Sequence, residues 1–208
     1  MLPPSEFRKA LKKIPCIPIE SNFYRFIKIQ FIKHPLSGLG SLRHGGRYNY
    51  KNVFEVLYLT SDPDTAVAES SRDRLLIPPS VLITVRVRLQ RVINIENEDV
   101  INSLGIIRAD LNKPWRKVQD IDEKKAYTQV LGELIYDSRD FEAIRYPSAI
   151  RSGKYNLALF TDRLKNSSEV KVYDPEHRIN KFAAKKIMGY RGFLKGMDNT
   201  AEREEDRY

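Results

Sequence analysis

Residues 43–50 read RHGGRYNY, and their chemistry centres on Arg47. The two glycines before it let the backbone make a tight, non-standard approach, and a guanidinium held there offers a planar fork suited to phosphate or carboxylate oxygens. Further along, Tyr58 stands near the end of the apolar run VFEVLYLT, and Glu69 follows in DPDTAVAES. If that second stretch is helical, Thr65 and Ala66 occupy the turn beneath Glu69, so little bulk covers its carboxylate and a ligand can come close. On residue types alone the plainer readings also stand: GGR as a turn, and Glu69 as a solvated helix carboxylate.

Other chemistries find little support. The three histidines, His34, His44 and His177, are scattered, and no acidic pair stands at ligand spacing beside them, so no metal site is expected. Cys16, the single cysteine, lies between prolines in IPCIP and lacks the histidine context of a thiol nucleophile. Ser148 follows Pro147 without a GxSxG elbow, which argues against a serine hydrolase and leaves a turn-stabilising serine or one that braces a neighbour. Nothing approaches the roughly 20 apolar residues of a membrane span, and the basic start MLPPSEFRKALKK lacks the apolar stretch of a secretory leader. A cytoplasmic, reducing location is the expectation.

The formal net charge of +9 points to an anionic ligand or partner: nucleic acid, a phosphorylated small molecule or an acidic protein. Much of the excess sits in residues 177–196, which carry six Lys or Arg and no acid.

The elements that must position Arg47, Tyr58 and Glu69 follow from periodicity. FYRFIKI (23–29), VFEVLYLT (53–60) and VLITVRVRLQ (81–90) read as strands. In the last, Val81, Ile83, Val85, Val87 and Leu89 share one face, while Thr84, Arg86 and Arg88 share the other, wet face. Asp62 suits an N-cap and Pro63 the first helical position, predicting a helix over 63–76. EDVINSLG predicts a short helix stopped by Gly105, and residues 122–138 a longer one with Ala126, Val130 and Leu134 on its stripe. FEAIRYP, YNLALFT and EVKVYD add strands. Without regular βαβ alternation, the expected class is α+β with a mixed, largely antiparallel sheet and flanking helices. Beyond it, residues 177–208 predict a basic amphipathic helix, with Ile179, Phe182, Ala183 and Ile187 on one face, and a frayed end.

In order and spacing, YRF (24–26), GLGSLRHGGRYN (38–49), VLYLT (56–60), DPDTAVAE ending at Glu69, LNKPW, TQVLGEL, AIRYPSAI and VKVYDPE resemble the RES domain family. The resemblance spans 23–176, leaving 1–22 as a lead-in and 177–208 as an extension about which it says nothing. It implies that Arg47, Glu69 and Ser148 are the name-giving arginine, glutamate and serine, that Tyr58 is the active-site tyrosine, and that Arg25 is a further ligand-binding arginine. Tyr48 stands where the family usually has Trp, and YKN replaces its Pro-Gly turn. The family's members are toxins with an ADP-ribosyltransferase-like fold that act on NAD, paired with Xre-type DNA-binding antitoxins.

Such a reaction fits these residue types. Nicotinamide leaves NAD as a neutral base while the ribose gains oxocarbenium character, so the protein must grip the ligand and stabilise positive charge. Glu69 suits the cation and ribose hydroxyls, Arg47 the pyrophosphate or adjoining ribose, Tyr58 the nicotinamide ring with its hydroxyl as a polar contact, and Ser148 the ligand or Glu69. Tyr48 is expected to pack behind Arg47, with Arg43 and His44 solvated at the rim.

Three functions remain distinguishable. An NAD-cleaving toxin, whose acceptor is water or phosphate, releases nicotinamide. A protein ADP-ribosyltransferase using the same site labels a protein. A basic nucleic-acid-binding module shows steep salt dependence on duplex DNA, although no helix-turn-helix, zinc finger or aromatic RNA platform is visible. A homodimer stays open.

Overall fold

A computed structural model describes residues 1–71, 76–176 and Ile179. Six strands form the sheet: β1 (Ile17–Lys28), β2 (Leu57–Thr60), β3 (Ser80–Asn94), β4 (Ala143–Pro147), β5 (Tyr155–Leu159) and β6 (Glu169–Val172). Their order is β1-β2-β5-β4-β3-β6, and β1 also pairs along β3, so five strands close on themselves with β6 outside on β3. Only β3 and β4 run parallel; every other pairing is antiparallel. The mixed, largely antiparallel α+β class read from the sequence is therefore the observed one.

Seven α-helices lie among the described residues: α1 (Pro4–Leu11), α2 (Leu39–His44), α3 (Pro63–Ser71), α4 (Glu98–Ser103), α5 (Arg108–Leu111), α6 (Trp115–Asp120) and α7 (Tyr127–Ser138). None is long and apolar enough to cross a membrane. Of the helix expected over 63–76, residues 72–75 fall outside the described residues and Leu76 lies in a bend; the expected 177–208 helix also falls outside them, apart from Ile179, which packs against strand side chains.

Alternation along the strands divides the interior in two. Leu57, Leu59, Leu157, Leu159 and Ala143 point into a core shared with Phe23, Ile83, Val85, Val87 and Leu89. Ile144, Tyr146 and Ala158 point the other way, into a core with Phe7, Leu11, Leu104, Leu131 and Ile135 from the helices. β3 behaves as its pattern predicts, with Arg86 and Arg88 exposed opposite buried Val85 and Val87.

Several boundaries differ from the sequence expectation, each for a local reason. The lead-in 1–22 is part of the fold: α1 buries Phe7 and Leu11, one helical turn apart, and β1 begins at Ile17. The strand expected from 53 starts only at Leu57, because side chains satisfy the backbone before it. Asn49 Nδ2 donates to the Phe54 carbonyl, and Ser41 Oγ accepts from Val56 N–H while donating to its carbonyl. The helix expected from 122 starts at Tyr127, after Glu123 at φ 51, with Gln129 Oε1 accepting the Ala126 N–H. Of the expected stripe, Leu134 is buried in the helix, Ala126 is buried at its N-cap and Val130 packs partly buried against the core, while Leu131 and Ile135 are the further apolar residues it buries.

Candidate functional site

The face of the sheet that carries Tyr146 and Ala158 also carries Tyr58 and Asn156, because Tyr58 pairs with Ala158 and Tyr146 with Asn156 across β2, β5 and β4. At the end of these strands the face opens into a cleft of about 750 Å³, lined by Arg25, Arg47, Tyr58, Glu69 and Asn156 among others. Four of the five residues marked in the sequence thus meet in one cavity. The fifth, Ser148, lines a neighbouring cleft yet reaches Glu69 from the side, its Oγ donating to Oε1 at 3.3 Å.

Glu69 is placed by α3, and α3 by its cap. Asp62 Oδ2 accepts the Thr65 backbone N–H at 2.9 Å and the Thr65 hydroxyl at 2.7 Å, with Arg151 donating to the same oxygen. The Thr65 hydroxyl above all, then the Thr65 N–H, Arg151 and Lys154, hold the Asp62 carboxyl well below the usual aspartate range. Two turns on, Glu69 Oε1 accepts from Asn156 Nδ2 at 2.8 Å. Among the described residues Glu69 is the only acid lining a cleft that also holds Arg25, Lys28, Arg47 and Arg116. The arrangement is one oriented carboxylate in a cationic pocket.

The Arg47 loop is a tight turn closed by Gly46 N–H donating to the Asn49 carbonyl at 2.8 Å. Gly45 sits at φ 74, and a side chain on Gly46 would meet the Tyr58 ring and hydroxyl at 2.5 Å. Two buried amides hold the turn from below. Gln129 Nε2 donates to the Gly46 and Asn49 carbonyls and to Gln119 Oε1, while Gln119 Nε2 donates to the His44 carbonyl. Arg47 donates from one guanidinium nitrogen to the Leu111 carbonyl at 2.8 Å. Tyr48, fully buried, packs against Tyr146 with ring centres 4.6 Å apart, the supporting place expected of it. Arg43 and His44 are exposed.

Tyr58 lines the cleft, and its hydroxyl donates to Asn49 Oδ1 at 2.9 Å and accepts the Tyr48 N–H at 2.8 Å, so that oxygen is engaged within the loop. Burial raises the Tyr58, Tyr48 and Tyr146 phenols well above the ordinary tyrosine range, which keeps them neutral. Arg25 both lines the cleft and clamps its rim, donating to the Pro35 and Ser37 carbonyls at 2.7 and 2.8 Å. Burial lowers its pKa to about 10, partly offset by Glu55, so it stays cationic at neutral pH. Ser148 both braces Glu69 and stabilises the following turn, where its Oγ accepts the Ile150 and Arg151 N–H groups.

Asn156 was not singled out in the sequence. Its only signal is a polar residue inside the apolar run YNLALF, 3% exposed in the structure. Gln119 and Gln129 are likewise buried, 2% and 0% exposed, but Gln119 stands in the polar stretch RKVQDIDEKK and gave no such signal. Among the described residues no group of three His, Cys, Asp or Glu stands ready to hold a metal ion.

Comparison with known proteins supports this picture. A chain in the structure of the M. tuberculosis MbcT-MbcA toxin-antitoxin complex superposes with a TM-score of 0.64 at 16% identity, covering 81% of this chain and 90% of that one. At that identity the likeness is one of fold. No curated protein sequence matches. Residues 22–180 match the model of the RES domain. Because that match takes in most of the chain, with every strand but the start of β1 and every residue lining the cleft, the chain belongs to the RES domain family.

Proposed function

We propose that the cleft binds NAD and breaks its nicotinamide-ribose bond, and that the chain is the toxin of a toxin-antitoxin pair. The observation that carries this reading is the Glu69 carboxylate, oriented by Asn156 and Ser148 in an otherwise cationic pocket. The C1′–N bond breaks with its electron pair passing to the nicotinamide nitrogen, which neutralises the pyridinium. Glu69 stabilises the positive charge left on the ribose and aligns the incoming acceptor. Arg47 holds the pyrophosphate, and the Tyr58 ring supports the nicotinamide. Water or phosphate then adds at C1′ and loses a proton.

A likeness in fold to a toxin-antitoxin complex supports an antitoxin partner for this chain too. The net charge of +9 suits an acidic antitoxin surface, of the Xre DNA-binding type by family.

The test is to incubate the purified protein with NAD, with and without phosphate, and identify every product by mass. Free nicotinamide with ADP-ribose or its phosphate is the expected result. Intact NAD in both reactions defeats the reading, and ADP-ribose found only on protein replaces it with a protein ADP-ribosyltransferase.

Asn156 provides a second check. Asn156→Ala removes the donor that aims Glu69 and should lower kcat by on the order of 10²-fold, with KM little changed, because substrate still meets the same arginines. A rise in KM at unchanged kcat would assign Asn156 to substrate binding instead.

A further inference from the structure

Arg47 stands at a boundary. Arg47 also lines a second cleft of about 780 Å³, together with Arg108, Trp115, Arg116, Lys117 and Ser148 among others. Arg47, Trp115 and Arg116 line both clefts. The second has no acidic residue in its described lining and four cations around one aromatic ring. The Arg116 guanidinium lies 5.0 Å from the centre of the Trp115 ring, so charge and a flat apolar face are offered together.

The two clefts are held in fixed relation. Arg47 bonds to the Leu111 carbonyl at the end of α5, just before the segment that leads into α6. α6 begins at Trp115 and carries Gln119, whose amide bonds to His44 and is bonded by Gln129, the side chain that also holds Gly46. The Trp115 wall and the Arg47 turn are thereby braced by one buried amide pair.

We infer that the second cleft is a nucleotide subsite, in which Trp115 stacks a purine ring while the surrounding cations hold its phosphate. The inference rests on the NAD reading above for its biological ligand: with the reacting bond beside Glu69 and the pyrophosphate at Arg47, the adenosine half extends past the boundary toward Trp115. A dinucleotide needs both clefts, and a mononucleotide carrying nicotinamide needs only the first. Trp115 is therefore a specificity-determining residue that favours NAD over nicotinamide mononucleotide.

Trp115 is the only tryptophan in the chain, so intrinsic tryptophan emission reports on the wall that the two clefts share. Titrating the full-length wild-type protein with AMP should change that emission saturably, and ribose 5-phosphate should not reproduce the change. No change with AMP, or the same change with ribose 5-phosphate, overturns stacking at Trp115. In turnover, Trp115→Ala should lower kcat/KM for NAD about tenfold more than for nicotinamide mononucleotide, the scale expected for loss of one stacked base. Trp115→Phe should restore the preference. Equal losses with both substrates overturn the assignment. If the wild type releases nicotinamide from neither substrate, the NAD reading fails, and the AMP titration still decides the subsite.

Discussion

Glu69→Gln is expected to reduce nicotinamide release from NAD by on the order of 10³-fold while leaving the protein folded. The substitution keeps the side chain's length and an oxygen able to accept from Asn156 Nδ2, so the local bonding persists. What it removes is the negative charge, the only one in the described lining of the cleft. One preorganised electrostatic contact is worth about 4 kcal/mol to a charged transition state, which sets the scale of the loss. Stability should move by no more than about 1 kcal/mol, since Glu69 is only partly buried. The measurements are nicotinamide release under saturating NAD and a urea melt of both proteins. Release within threefold of wild type would remove Glu69 from the reaction.

Gly132→Ala should be the most damaging small substitution away from the cleft. Gly132 lies in α7, where a methyl group would overlap the Tyr48 carbonyl and stand 2.7 Å from the Tyr48 carbonyl carbon and 2.9 Å from its Cα. The obstacle is backbone on both sides, so it cannot rotate away as a side-chain end would. Overpacking of this kind costs about 3 kcal/mol. Tyr48 follows Arg47 directly, and its N–H is bonded to Tyr58, so displacing it disturbs the site as well. The expected result is a lower denaturation midpoint together with lost turnover. A variant with wild-type stability and turnover would mean that α7 and the Arg47 turn can separate freely.

Gly132 also marks what a sequence can and cannot reveal. Within TQVLGEL it reads as a residue that weakens a helix, and its reason is a chain segment remote in sequence. Features carried by neighbours were legible: the alternation of β3, the Asp62 cap on α3, the stop at Gly105, where φ is 58, and the glycine-shaped turn before Arg47. Features carried by partners far along the chain were not. Asn156 and Glu69 are 87 positions apart, and neither stretch announces the other. The early start of β1 was hidden by Pro15 and Pro18, which discourage a strand reading even though Ile17 pairs with Val92. The helix at Pro4–Leu11 was missed despite a proline at its start and an i,i+4 pair in Phe7 and Leu11. Family resemblance grouped Arg25, Arg47, Tyr58, Glu69 and Ser148; the structure adds the amides that hold them and the bonds that tie the Tyr58 hydroxyl to Tyr48 and Asn49.

The closed path of five strands has a consequence for the order in which the protein is made. β2 bears Tyr58 and leads directly into the helix that bears Glu69, yet β2 pairs with β5, which lies near the end of the family domain and supplies Asn156. A nascent chain that has exposed Glu69 but not residues 155–159 has neither the oriented carboxylate nor a complete sheet. Long-range pairing of this kind is made late, after the intervening chain has emerged. Translation therefore completes the proposed site almost all at once, near the end of synthesis, and a prematurely terminated chain lacking β5 is expected to release no nicotinamide.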